Sequence, residues 1–154
     1  MKFITCVLSL ASILSLLSCK EQTAPHSKYE VGQVWKYKTK IGEEQSTIVI
    51  LKIEHYDSMG NVIHTSVRNL KINNSRNPNT FSETINHLPI AEEALDRSVT
   101  ALVSNNSEIP DFSEGYKYWK EAFDNGAGGV FSIEVKDAVK YTEETFSTDN
   151  AVAD

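Results

Sequence analysis

The sequence predicts an α+β fold, an antiparallel β-meander of three to five strands with about three helices packed on one face. Two observations carry this. The first half sets aromatic and β-branched residues between turn signals, and the second half turns to apolar residues at helical spacing. The order is strands, two helices, a strand and a final helix, the segregated pattern of α+β domains.

Val34 to Thr39 reads as the first strand, with Trp35, Tyr37 and Thr39 on one face and Val34, Lys36 and Lys38 on the other. Gly42-Glu43-Glu44 is a turn. Ser46 to Tyr56 is the strongest strand. Ile48, Val49, Ile50, Leu51 and Ile53 make it apolar on both faces, as a central strand requires. Asp57-Ser58-Met59-Gly60-Asn61 joins it to a third strand, Val62 to Ile72, with Gly60 suited to a left-handed turn position. Beyond the polar stretch Asn73 to Asn79, Thr80 to Leu88 adds a short edge strand.

Pro89 suits the first position of a helix on which Ala91, Ala94, Leu95, Val99, Leu102 and Val103 recur at helical spacing. Ser113 caps a second helix that stops at Asn125-Gly126. Its Phe112, Tyr116, Trp119 and Phe123 follow i, i+4, i+7, i+11 spacing, which predicts a core-facing seam, with Tyr118 pointing elsewhere. Val130 to Val135 follows as a strand, and Asp137 opens a last helix with Val139 inward.

Register decides how the histidines of the first long hairpin relate. If Asp57 faces Asn61, Gly60 takes a bulge position, and Val49, Leu51 and Ile53 share a face with Ile63, Thr65 and Val67. His55 then lies opposite Ile63, and His64 lies opposite Glu54 on the other face. A slip of one residue would pair His55 with His64 but set Leu51 against Arg68, so burial favours the first register. The expectation is a surface contact between His64 and Glu54 and no metal pair.

The first residues carry a separate signal. Lys2 precedes an apolar run from Phe3 to Leu17, which ends in Leu16-Leu17-Ser18-Cys19. The run is shorter than the roughly 20 residues of a membrane span. Residues 1–19 resemble the signal peptide and lipobox of bacterial lipoproteins. The resemblance implies cleavage before Cys19, lipidation (including palmitate) of that cysteine, and a membrane partner reached through the lipid. It implies a cell-envelope address. With Lys20 rather than Asp after the cysteine, the resemblance favours the outer membrane if the cell is Gram-negative.

The organisation expected is therefore a signal peptide at 1–18, a lipidated tether at 19–28, a single domain at 29–147 and a frayed tail at 148–154. Removing 18 of 154 residues leaves 136, one domain's worth, and the formal charge of −6 becomes −7 when Lys2 leaves. An acidic body argues against nucleic acid as a partner. With Cys6 removed and Cys19 acylated, no disulfide and no free thiol would remain.

No Gly-x-Ser-x-Gly, His-Glu-x-x-His, Walker or EF-hand pattern occurs, so the sequence offers no catalytic residues, cofactor or metal ligands. The glycines from Gly126 to Gly129 precede a strand rather than a helix, the wrong order for a phosphate loop. Three readings follow. The first is a non-catalytic domain with a protein partner, of the immunity or inhibitor type, whose acidic surface suits a basic toxin. The second is a small-ligand-binding module whose wall is Trp35 and Tyr37, with Tyr118 as a further aromatic candidate. The third is a hydrolase with a dispersed site built from His55 or His87, acidic residues and Tyr118. The stretches from Val31 to Thr39, from His87 to Ile90 and from Gly115 to Lys120 also resemble small uncharacterised bacterial domains over Tyr29 to Thr145, a resemblance that implies no activity.

Overall fold

The computed structural model describes residues 26–73 and 81–149. The expected signal peptide, Cys19 and most of the tether lie outside these residues, as does the end of the tail.

Five strands form one antiparallel sheet in the order β4-β3-β2-β1-β5. They are β1 (Val34–Tyr37), β2 (Thr47–Tyr56), β3 (Gly60–Asn73), β4 (Phe81–Ala91) and β5 (Val99–Ser104). The helices are α1 (Glu92–Ser98), α2 (Ser113–Asp124) and α3 (Val135–Asp149). The α+β class, the meander and the three helices are those the sequence predicts. Among the described residues no helix is long and apolar enough to cross a membrane.

One face of the sheet carries the core. Ile48 and Ile50 of β2, Ile63 and Val67 of β3, and Leu88 and Ile90 of β4 pack with Ala94 and Leu95 of α1 and Val135, Ala138 and Val139 of α3. Tyr37 is buried in this cluster and Trp35 packs against it, so their strand face is core. The helices divide between the two faces. α1 and α3 cover the core face, whereas α2 lies on the opposite one, where its rings meet Tyr56, His64 and His87. Ser27 and Lys28, at the end of the expected tether, dock on α1. Ser27 Oγ donates to Glu92 Oε1 at 2.6 Å, and Lys28 Nζ lies 2.8 Å from Asp96.

The hairpin register differs from the expected one. Met59 N–H donates to Tyr56 O at 3.1 Å, closing a turn over Asp57 and Ser58, and Gly60 at φ +76° enters the ladder as the partner of Tyr56. His55 therefore faces Asn61, Glu54 faces Val62, and His64 faces Lys52. The offset is two residues, an even number, so side chains near the turn keep their faces and His64 stays beside Glu54 as a diagonal neighbour. A bulge at Leu51 then shifts the register by one. It brings Ile48 and Ile50, rather than Val49 and Leu51, onto the core face with Ile53.

The stretch from Pro89 to Val103, expected as one helix, is strand, helix and strand. Pro89 lies in β4 and its carbonyl accepts from Phe131 N–H at 3.0 Å on the outer edge. The edge is where the missing proline N–H costs nothing to the ladder. The helical spacing holds through the buried Ala94 and Leu95. The run from Val99 to Val103 then suits a strand, and Leu102 and Val103 are exposed on β5. The expected strand from Val130 to Val135 reduces to one bridge, Phe131 to Ile90, because Val135 already begins α3. At α2, Ser113 is the first helical residue rather than the cap, and its N–H donates to Asp111 Oδ1 at 2.9 Å.

Candidate ligand site

The face that α2 covers is polar at its centre. Lys52 and Glu54 of β2, His64 of β3 and His87 of β4 reach it from adjacent strands, and Tyr116 and Trp119 close over them from α2. Glu54 is the hub. Its carboxylate lies 2.7 Å from Lys52 Nζ and accepts from Tyr116 Oη at 2.9 Å and Tyr56 Oη at 3.1 Å. Its Oε2 also lies 3.0 Å from Nε2 of His64. Burial alone would raise the Glu54 pKa, but the hydrogen bonds from Lys52, Tyr116 and Tyr56 outweigh it and hold it at about 2. Glu54 is thus ionised at neutral pH.

His64 is 0 % exposed, so its contact with Glu54 is a buried one and not the surface contact expected. Trp119 stands edge-on to the His64 ring at 4.7 Å between centroids. The second His64 nitrogen, Nδ1, lies 2.9 Å from Nε2 of His87. The two rings are 5.1 Å apart at their centroids and 16° from parallel. With nitrogens at hydrogen-bonding distance, that is the geometry of two rings meeting edge to edge in one plane rather than stacking. Burial holds the His64 pKa below its ordinary value despite the Glu54 carboxylate. Burial and the neighbouring His64 push His87 down to about 4. Both rings are neutral at pH 7.

His87 is placed by two local features. A register shift between the Thr65/Leu88 and Val67/Ile85 pairs sets Asn86 and His87 opposite the single residue Ser66, a bulge in β4. Gly115 on α2 then lets the helix approach, since a Cβ there would stand 2.8 Å from His87 Cβ. Beyond His87 a cavity of about 720 Å³ opens along the outer edge of β4, between α2 and α3. Ile85, Leu88, Val130, Phe131 and Trp119 give it apolar walls, and Thr84, Asn86, His87 and Thr142 supply polar groups. Such a wall, mostly apolar with a few polar points, is that of small-molecule sites.

Apart from His87, the sequence candidates do not converge on this cavity. Tyr37 is buried and shares a 2.8 Å hydrogen bond with Ser46. Trp35 leans edge-on against Tyr29 and donates to Gln33 Oε1. Tyr118 is 68 % exposed and lies on neither wall. His55 pairs with Asn61 at 2.9 Å, on the face away from His64. The predicted seam of Phe112, Tyr116, Trp119 and Phe123 does pack, but none of the four is fully buried, because it lies over Glu54 and the histidines rather than in the core. His87, a candidate of the dispersed-site reading, does line the cavity, and its partner His64 is 23 residues away across the sheet.

Among the described residues no group of three His, Cys, Asp or Glu side chains is arranged to hold a metal ion. No known family, curated protein or solved structure matches the chain.

Proposed function

We propose that this chain is a lipid-anchored bacterial envelope protein whose α+β body binds a small molecule in the cavity between β4, α2 and α3. The anchor rests on the resemblance of residues 1–19 to a lipoprotein leader, with Cys19 as the acceptor. The cavity carries the binding reading. It is concave, its walls are chiefly apolar, and His87 is fixed at its side by Glu54 and His64.

Methyl NMR of the full-length protein with 1-methoxynaphthalene tests this. Shifts should concentrate on Ile85, Leu88 and Val130 and leave Val31 and Leu102 at the far edge unmoved. No shifts, or shifts spread evenly over the sheet, would overturn it.

A second reading, a domain of the immunity or inhibitor type, draws support from β5. This edge strand holds no charged residue and exposes Leu102 and Val103, so an extended segment of a partner could add to it. Deleting the gene should then sensitise the cell only where a neighbouring toxin gene is present.

A further inference from the structure

We infer that the cavity selects a neutral, largely apolar molecule bearing one hydroxyl or N–H group, which donates its hydrogen bond to Nδ1 of His87. This rests on the cavity being a ligand site and names the class of ligand.

The argument follows one chain of protons. Ionised Glu54 can only accept, so the hydrogen between it and His64 sits on His64 Nε2. A neutral imidazole carries a single ring proton, so His64 Nδ1 is left with a lone pair. His87 Nε2, 2.9 Å away, must then be the donor to it. His87 in turn is left with a lone pair on Nδ1. Among the described residues His64 is its sole hydrogen-bond partner, and His87 lines the cavity. A partly buried carboxylate behind two rings thus leaves His87, which lines the cavity, with an acceptor at Nδ1.

The rest of the wall defines the remainder of the ligand. None of the lining residues is Lys, Arg, Asp or Glu, so a charged ligand would lose its hydration without gaining a counter-ion. The Trp119 indole N–H is already spent on Gly129 O at 2.8 Å. Thr84 and Asn86 can rotate or flip to donate or accept, whereas the hydroxyls of Thr142 and Ser82 donate to Ala138 O at 2.9 Å and Thr84 O at 3.2 Å and so offer a ligand only an acceptor. His87 is the lining ring whose sense the fold has set, and it agrees with the acceptors at Thr142 and Ser82.

The test compares 1-naphthol with 1-methoxynaphthalene, which differ in whether the oxygen can donate, on full-length wild type and His87→Phe. Comparing the two proteins cancels any uptake of probe by detergent. The naphthol should bind wild type about three- to tenfold more tightly, the worth of one hydrogen bond. His87→Phe should erase the preference while the ether still binds. Equal binding of both probes to wild type, or a preference that survives in the variant, overturns the inference and leaves the cavity reading standing. Binding of neither probe overturns both. Nitrogen NMR of the imidazoles gives an answer that needs no ligand or variant. His64 and His87 should both be Nε2–H tautomers, and a proton on His87 Nδ1 refutes the assignment.

Discussion

A methyl group on Gly115 would stand 2.8 Å from Cβ of His87, so α2 is seated against β4 at a distance only glycine permits. Replacing a helical glycine by alanine ordinarily stabilises a helix by about 1 kcal/mol. Here the clash is with a Cβ that cannot swing aside, and overpacking of this kind costs about 1–3 kcal/mol. Gly115→Ala should therefore lower stability in urea unfolding and shift the His87 ring resonances. A more stable variant would mean that α2 does not rest on His87.

The Glu54 hub sets an order among its neighbours. Glu54→Gln keeps the shape but removes the charge that Lys52, Tyr116 and His64 share, and should cost about 1–3 kcal/mol. Tyr56→Phe removes a single 3.1 Å hydrogen bond and should cost about 1 kcal/mol or less. Chemical denaturation of both variants checks the ranking. The reverse order would remove Glu54 from the centre of the network.

Acid should act in two stages. His87 falls from an ordinary 6.5 to about 4 on folding, so below 6.5 the unfolded chain takes up the proton first. Its contribution is complete above 6.5 and is lost as the pH falls toward 4, and His64 shifts in the same direction. Glu54, lowered from 4.5 to about 2, contributes above 4.5 and loses its share between 4.5 and 2. One proton gives a slope of at most about 1.4 kcal/mol per pH unit, less here because His87 is only partly buried. Melting temperatures of wild type and His87→Phe across pH 7 to 4 test the first stage. The variant should show the shallower fall, and identical curves would contradict it.

Tyr118 and Leu95 should behave as opposites. Tyr118 is exposed, so Tyr118→Ala should change stability by less than about 0.5 kcal/mol. Leu95 is 0 % exposed at the junction of α1 with the sheet, and Leu95→Ala should cost about 2–5 kcal/mol. Thermal unfolding of the pair measures both.

The anchor has its own measurement. If the proposed lipobox is right, Cys19→Ser should abolish incorporation of labelled palmitate, and continued labelling would refute that assignment.

Much of the fold was legible because β2 is apolar on both faces, and both faces are in fact covered. The Glu54–His64 contact was legible as well, since an error of two residues leaves face parity intact. The one-residue bulge at Leu51 was not legible, because Ile48 to Leu51 is an unbroken apolar run with no alternation to betray a change of face. The division of Pro89 to Val103 was hidden by apolar residues that kept helical spacing past Ser98, while the β-branched run that follows carried the contrary signal. His87 was named only as an alternative to His55, and its setting was illegible for a different reason. Its meaning comes from a bulge opposite Ser66 and from Gly115, features that exist only once three elements have met.

Pro89 also bears on how this molecule avoids its own kind. An exposed strand rim invites a second chain to zip onto it, and the crosslinking of rims is how sheets become fibrils. At Pro89 to Ala91 that rim is occupied by the backbone of Phe131, and the proline itself has no N–H to offer a newcomer. The opposite rim, Val99–Ser104, is charge-free and among the described residues has no such guard. At high concentration, precipitation should therefore start there, and a single lysine in place of Ala101 would slow it.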